Sequence, residues 1–405
     1  MNTHAPYQGD GPTGHLVVLG SGPQAEWEHA IQRLATTGPL LLIDAEPPTW
    51  QHPHLTDART ANPLDPSQTL AAVEKFANTR PIAGVLTLHP AHTRTAALLR
   101  SELALPGPNP AAVEATLLRH RTAQLLTAAG VDNSGALHAD TYDQALEAAH
   151  QVGFPLVCKP SSPRAQHAAR QVKGLSQLAD AFSAAAAATW PGTGTVVEPL
   201  LDGIEATAYT TTGPRVVAIS HATFDPQAEP SLIPVEVVVD ADDVCGPAIE
   251  DTASRALAAL GHRSGPAQIR MRITSTGPRI ISIATHPTEP LLARLIEQVT
   301  GIDLITQAGL HARGRTIPTN EHESRLGATA VRYLQSPGTT PMLPPNASSH
   351  AQITPYATLQ PYPAERLVGP LRRSGHLLVS GTDYPQCTAR LRTAAAEIRI
   401  ARLSA

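Results

Sequence analysis

The first hundred residues alternate short apolar runs with amphipathic segments. One apolar run lies in HLVVLGSG, 15–22, and a second, PLLLIDAE, ends in acidic residues. Between them, AEWEHAIQRLATTG has helical spacing and stops at Gly38. Apolar runs separated by amphipathic helices are typical of the buried strands of a parallel sheet. The pattern predicts a βαβ start, with a third strand over 82–90 and a further helix after it.

After a linker and one long helix that is predicted to end at Gly130, the pattern of apolar residues changes. From Ser134, three short strands alternate with two amphipathic helices, in SGALHA, YDQALEAAHQVG, FPLVCKP, LSQLADAFSAAAAA and GTVVEPLLDG. A hairpin around Gly213 and Pro214, a helix, a second hairpin and another helix follow. Short proline-rich strands and a terminal amphipathic helix complete the chain. Together with the parallel start, these elements predict a mixed α/β and α+β fold.

The second hairpin, AQIRMRITSTGPRIISIA, carries an unusual set of polar side chains. Its first strand alternates apolar residues with a glutamine and two arginines, whereas its second strand places only a serine and an alanine between isoleucines. In an antiparallel pair of strands, side chains on one face lie opposite each other, and the position of the turn decides which residues pair. We place the turn at 274–278. This register predicts three cross-strand pairs: Ile273–Arg279, Arg270–Ser282 and Gln268–Ala284.

Composition narrows the classes of function. A chain of 405 residues is long enough for about two to four domains. A net charge of −4 gives no reason to expect nucleic acid or an anionic membrane as a partner, and no apolar run reaches the roughly 18 residues of a transmembrane helix. Residues 1–13 are polar and lack the basic and apolar regions of a signal peptide. We therefore expect a disordered leader and a cytoplasmic protein.

Cysteine, histidine and glycine motifs give weak signals for chemistry. The three cysteines form no CxxC pair and cannot build a disulfide framework. The histidines of QHPHL and HPAH have metal-like spacing, but no third ligand is near in sequence, which favours solvated loop histidines. The GSG turn lacks the third glycine of a dinucleotide-binding motif, which would fall at Ala25. We interpret it as a tight turn.

Five segments in a fixed order carry a resemblance to a known superfamily. They are LPGPNPAAVEATLLRHRTAQLLTAAGV, GFPLVCKP, VVEPLLDGIEATAY, ALAALGHRSGPAQIRMRITSTGPRIISI and LIEQVTGIDL. In this order they resemble the ATP-grasp superfamily, in its carboxylate–amine ligase branch. The resemblance implies that ATP is clamped between two α+β subdomains, and that a carboxylate is activated as an acyl phosphate for attack by an amine. The expected organisation is a leader (1–13), an N-terminal βαβ domain (14–110), an ATP-grasp domain (111–315, with a lid at about 134–195) and a C-terminal α+β domain (316–405).

The resemblance assigns nucleotide binding to residues around Lys159. Lysine is rare here, with three residues among 30 basic ones, and Lys159 ends an apolar strand, where its ammonium can meet a phosphate as a point charge. By resemblance, Arg119 takes a second cationic position, Glu198 lies at the adenine hinge and Glu205 accepts from the ribose hydroxyls. Apolar cover for a purine is expected from Val196, Val197, Leu200 and Leu201. The alternatives are an ordinary edge lysine and two glutamates that flank a surface turn.

The loop after Lys159 departs from the family pattern. In the family it is glycine-rich, so that backbone N–H groups wrap the phosphates. Here no glycine occurs between Lys159 and Gly174. The side chains of Arg164, His167 and Arg170 are the groups that could reach phosphate instead.

The hairpin departs from the family at its metal site. In active ligases of this branch, positions equivalent to 270 and 282 are glutamates and 284 is asparagine, and they hold one or two Mg²⁺. Here they are Arg270, Ser282 and Ala284, and the arginine that in the family holds the acyl phosphate or the substrate carboxylate is replaced by His286. A guanidinium about 4 Å from a divalent cation is repelled by roughly 8 kcal/mol at an effective dielectric of about 20. The substitutions predict that the Mg²⁺ expected for the family has lost its ligands.

Two loop acids, Glu229 and Glu289, are near enough in sequence to be considered as replacement ligands, although their spacing does not require it. Arg270 and His286 are the candidate catalytic residues that remain. The sequence therefore predicts a ligase-like protein with weak ATP binding and weak or lost ADP-forming chemistry, from amino-acid-derived or specialised metabolism. Its expected ligand is a small amino acid or carboxylate, and the resemblance suggests a homodimer. Two alternatives remain open: a non-catalytic ligand-binding or structural partner of an active enzyme, and an active enzyme with a relocated or metal-independent site.

Overall fold

The computed structural model describes residues 14–132, 135–162, 168–211, 213–224, 234–242, 246–315, 326–336, 351–354, 357–368 and 371–403. The predicted leader therefore lies outside the described residues, as do Arg164, His167 and Glu229. No helix in these ranges is both long and apolar enough to cross a bilayer.

The N-terminal part is a parallel sheet of four strands in the order β3-β2-β1-β4, which confirms the predicted βαβ start. The GSG loop makes a tight turn after β1, because Gly20 has a φ of +73° and the Ser21 amide donates to the Asp44 carboxylate at 2.8 Å. Its elements are β1 (His15–Leu19), α1 (Gln24–Thr36), β2 (Leu40–Asp44), β3 (Asp57–Thr60), α2 (Pro66–Ala77), β4 (Ile82–Leu86) and α3 (Thr93–Glu102).

The segment that follows contains two helices where the sequence predicted one. They are α4 (Pro110–Leu117) and α5 (Arg119–Ala128). The break falls at Leu118, whose φ of −117° and ψ of 112° are extended rather than helical. The bend places Arg119 at the first position of a new helix, beside the lid.

The lid is an antiparallel sheet of four strands in the order β5-β8-β6-β7. Alanine-rich faces of two helices cover one side of it, around the buried residues Ala145, Ala181 and Val197. The sequence predicted all of these elements except the short strand β7. They are β5 (Leu137–Ala139), α6 (Tyr142–Val152), β6 (Leu156–Pro160), β7 (Arg170–Val172), α7 (Leu178–Ala188) and β8 (Thr195–Pro199).

The remaining strands form one antiparallel sheet of nine strands, in the order β13-β12-β9-β10-β11-β14-β17-β16-β15. Because β11 pairs with β14, the sheet continues across the predicted domain boundary at residue 315, and that boundary stays a prediction. The elements are β9 (Ile204–Thr210), β10 (Val216–Phe224), β11 (Pro234–Asp240), α8 (Gly246–Ala259), β12 (Ala267–Thr274), β13 (Gly277–Ala284), α9 (Pro290–Thr300), α10 (Leu304–Ala312), β14 (Ala328–Ser336), β15 (Ala351–Thr354), β16 (Ala357–Val368), β17 (Leu371–Gly381) and α11 (Tyr384–Leu403).

The β12–β13 hairpin has a β-bulge that the sequence did not predict. Its turn is one residue tighter than expected, so Ile273 pairs with Pro278, and the predicted Ile273–Arg279 pair is wrong. The register then shifts between Arg270 and Met271, because Ile281 is the extra residue on the second strand. The bulge cancels the error at the turn, and the predicted pairs Arg270–Ser282 and Gln268–Ala284 are confirmed.

Candidate functional site

A large cleft lies where the lid, the nine-stranded sheet and the loop after β4 approach each other. It has a volume of about 400 Å³, and a smaller pocket under lid strands β6 and β8 adjoins it. The two share Arg119, Glu198, Glu205 and Arg270. These four residues, which are distant along the chain, thus lie around one continuous space, and their assignment to nucleotide binding stays a prediction.

Arg270 and Ser282 both line the cleft, as expected from their cross-strand pairing. Ala284 lies on the same wall, next to Gln268. The polar face of the hairpin thus looks into the cavity, while Ile269 and Met271 on the opposite face are fully buried.

Glu205 is the anion around which this wall is organised. Its side chain is 3% exposed, and Arg270 Nε donates to its Oε1 at 3.0 Å. Arg272 donates to Oε2 at 3.3 Å, and a second Arg270 nitrogen also bonds Oε1. Burial acts to lower the pKa of Arg270, but the Glu205 carboxylate raises it overall. A carboxylate accepts about four hydrogen bonds, so little capacity on Glu205 remains for the ribose hydroxyls that the resemblance assigns to it.

Lys159 and Glu198 form a second ion pair across the neighbouring strands β6 and β8. The lysine side chain is 6% exposed and that of the glutamate 15%. Burial lowers the pKa of Lys159 to about 8; Arg119 and Arg270 act in the same direction and Glu198 in the opposite one. Lys159 Nζ also lies 3.5 Å from the Ile281 carbonyl oxygen, so the bulged residue of the hairpin contacts the lid lysine.

Arg119 has a guanidinium with an unused hydrogen-bond donor. Its side-chain Nε is buried without a hydrogen-bond partner, and burial lowers its pKa to about 10, with Glu198 acting in the opposite direction. Its backbone N–H donates to the Ser161 carbonyl at 2.9 Å, which anchors the start of α5 to the lid. The guanidinium therefore faces the cavity from a fixed backbone position.

The apolar wall of the smaller pocket differs from the prediction in part. Leu200 and Leu201 line it as expected, together with Val157. Val196 and Val197, however, are fully buried and are not among the residues that line the pocket. The prediction of Val197 as purine cover is wrong, whereas that of Val196, which pairs with Lys159 across β6 and β8, stays a prediction. In a strand, neighbouring side chains point to opposite faces, and Val197 packs into the core of the lid instead.

His286 does not take over the charge of the arginine that the family places there. It is half-buried, and desolvation lowers its pKa and keeps it neutral, while its Nδ1 lies 2.7 Å from the Pro287 carbonyl oxygen. Gln268 Nε2 donates to the same carbonyl at 3.1 Å. This neutral, hydrogen-bonded histidine is a wall residue that offers no second charge for a substrate carboxylate.

The hairpin wall presents a guanidinium, a hydroxyl and a methyl group to the cleft, from Arg270, Ser282 and Ala284. The Glu205 carboxylate that bonds Arg270 is already used by two guanidinium groups, and a cation close to Arg270 would be repelled by it. Across the described ranges, no group of three or more histidine, cysteine, aspartate or glutamate side chains is arranged to hold a metal ion. His89 and His92 stack with ring centroids 4.7 Å apart, and Glu289 lines the cleft.

Sequence inspection missed several cleft residues. Tyr209 and Ser220 face each other at 2.9 Å between their hydroxyl oxygens, deep in the cleft, and burial raises the pKa of Tyr209 to about 12. Arg272 pairs with Glu205, as described above. The alternation of β12 is a signal that could have found Arg272, because it follows Arg270 by two positions on the same face.

No family model matches the chain. Among curated proteins it is similar to y4rH of Sinorhizobium fredii, described as uncharacterized, with 26% identity over 262 residues, or 64% of this chain and 54% of that protein. The chain thus spans about half the length of this relative.

Solved structures give longer matches. An L-amino acid ligase from Bacillus licheniformis superposes with a TM-score of 0.76 and 17% identity, over 96% of this chain and 98% of that one. An N5-carboxyaminoimidazole synthase from Aspergillus clavatus, solved with ADP and its aminoimidazole ribonucleotide, has a TM-score of 0.73 and 14% identity, over 96% and 99%. At these identities the likeness establishes the fold alone. The chain therefore has the ATP-grasp fold.

Proposed function

We propose that this protein is a ligase-like ATP-grasp protein that binds an anionic, phosphate-bearing ligand in its cleft without Mg²⁺, and whose acyl phosphate chemistry is weak or lost. The single observation that carries the proposal is the Arg270–Glu205–Arg272 cluster on the hairpin wall. It puts a guanidinium where the resemblance expects a metal-binding carboxylate, and it uses the nearest acid to neutralise that guanidinium.

Charge around the smaller pocket favours an anion. Its lining holds four cations, namely Arg119, Lys159, Arg270 and Arg272, against the two carboxylates of Glu198 and Glu205. ATP, when bound, would supply phosphates to these cations and an adenine to Leu200 and Leu201. Arg119 Nε has a free donor for such a group, and Lys159 can transfer its hydrogen bond from Glu198 to a phosphate.

We expect very low Mg²⁺-dependent ATP turnover with any pair of amino acids. The reason is that the developing charge on a transferred phosphoryl group has no metal to meet it. Coupled assays of ADP and phosphate release over a substrate panel measure this turnover. A robust rate that EDTA abolishes would contradict the proposal and favour an active ligase with a relocated site.

Nucleotide affinity is expected to be weak, with a Kd on the order of 10–1,000 μM, or roughly 4–7 kcal/mol, and nearly independent of Mg²⁺. Added salt should weaken it, because ion pairs rather than a metal hold the phosphates. Calorimetry with ATP, ADP and adenosine, with and without Mg²⁺, makes the comparison. Tight binding that requires Mg²⁺ would overturn the proposal, and no binding of any of the three would favour a structural role beside an active partner.

Lys159→Ala should weaken ATP binding by about 10–100-fold and leave adenosine nearly unchanged, since a charge-assisted hydrogen bond to phosphate contributes about 1.5–3 kcal/mol. Lys173→Ala is the matched control, because Lys173 is an exposed lysine on the lid. Isothermal titration of both variants with both ligands measures the difference. Equal losses for ATP and adenosine would place Lys159 in a structural role.

Ligand binding should also depend on pH through Lys159. Its pKa in the folded protein is lowered from 10.5 to about 8, so its share of folding stability increases as pH rises from 8 to 10.5, where the unfolded chain binds more protons. Phosphate binding has the opposite sign, because it needs the protonated amine. At pH 8 we expect uptake of about half a proton per bound ATP, measured by calorimetry in two buffers of different ionisation enthalpy. Uptake that persists in Lys159→Ala would assign the proton to another group.

A further inference from the structure

A small buried cavity lies next to the cleft and shares His286 with it. It forms where α3, the 107–108 turn and α10 meet, and Arg100 and His311 line it. Its volume is about 20 Å³, which admits one occupant close to a water molecule in size.

Arg100 is a buried cation with no acid beside it. Its residue is 7% exposed, its side-chain NH1 donates to the Val85 carbonyl at 3.2 Å, and its Nε is buried without a partner. Burial lowers its pKa to about 10, and no described carboxylate acts against that shift. The guanidinium therefore stays charged at neutral pH. Buried charges in proteins are normally paired, and this one lacks its counter-charge within the described residues.

His311 adds a second unsatisfied nitrogen to the same cavity. Its Nε2 is buried without a hydrogen-bond partner, and burial together with the nearby Arg100 charge lowers its pKa to about 4. The ring is neutral at pH 7 and donates when its hydrogen is on Nε2. The threonine hydroxyls of the lining, by contrast, already have partners: Thr87, Thr93 and Thr285.

We propose that this cavity binds one small monovalent anion of the size of chloride, held by the Arg100 guanidinium and by Nε2–H of His311. A water molecule could accept from both donors, but it would leave the buried charge without compensation. The anion supplies that compensation and joins three segments that are far apart along the chain. The site is separate from the cation-rich pocket around Lys159 and does not depend on nucleotide binding.

The test compares bromide with gluconate on the full chain, at equal ionic strength. Bromide should raise the wild-type Tm by about 2 °C or more, because a ligand that binds only the folded state stabilises it. Arg100→Met, which keeps the length of the side chain and removes its charge, should lose that gain. Arg94→Met is the matched control, because Arg94 lies on the same helix with its side chain 54% exposed, and it should keep the gain.

Two further measurements keep the proposal testable if Arg100→Met does not fold. His311→Leu leaves the charge in place and removes the second donor, so it should reduce the bromide gain. Crystals grown in bromide should show an anomalous peak beside Arg100 Nε. Ordinary water in the cavity of those crystals, or a bromide gain that is unchanged in either variant, would overturn the proposal.

Discussion

Nucleotide binding should become dependent on Mg²⁺ when the hairpin regains carboxylates, in the triple variant Arg270→Glu, Ser282→Glu and Ala284→Asn. A carboxylate about 4 Å from Mg²⁺ attracts it by roughly 8 kcal/mol at an effective dielectric of about 20, the same magnitude by which Arg270 repels it. Even a severalfold discount for solvent leaves a large change. We expect Mg²⁺ to tighten ATP binding by about 10–100-fold in the variant and to have little effect on the wild type.

Calorimetry with ATP at several Mg²⁺ concentrations measures this gain. Arg255→Glu is the control for the Arg270→Glu exchange, because it reverses the charge of one arginine in the same way on an exposed part of α8, where the arginine side chain is 50% exposed. A triple variant that folds, binds ATP and remains insensitive to Mg²⁺ would show that Arg270 is not what excludes the metal.

Glu205→Ala should lower the free energy of unfolding by about 3–5 kcal/mol, because removing one partner of a buried ion pair leaves an uncompensated charge. Glu205 is 3% exposed and is the shared acceptor of Arg270 and Arg272. The same variant should weaken binding of adenosine-containing ligands if Glu205 also contacts the ribose. Urea denaturation measures the first effect and calorimetry the second.

A double-mutant cycle separates the ion pair from the rest of the site. The double variant Glu205→Ala, Arg270→Ala should lose less free energy of unfolding than the two single variants together, since both charges of the pair are gone. Glu114→Ala, which removes an exposed ion pair with Arg94, should stay close to the wild type. Additive losses in the cycle would mean that the two side chains are not coupled.

Local patterns in the sequence were sufficient for most of the fold. The parallel start, the two hairpins and the order of the five family segments come from residues that are close together along the chain. Such patterns could not reveal the break at Leu118 or the bulge at Ile281. Both occur where an element contacts a distant part of the chain. The backbone N–H of Arg119 bonds the lid, and the carbonyl of Ile281 lies beside Lys159 Nζ.

The sequence by itself determined which residue types stand at the family positions, and hence that Arg270 faces Ser282 where carboxylates are expected. Only the tertiary structure decided what these groups do to each other. It paired Glu205 with two arginines more than 60 positions away, and it left Arg100 and His311 unsatisfied around one cavity. The physical reason is that periodicity reports which face a side chain takes, whereas the partner of a buried charge is set by the packing of segments that are distant along the chain.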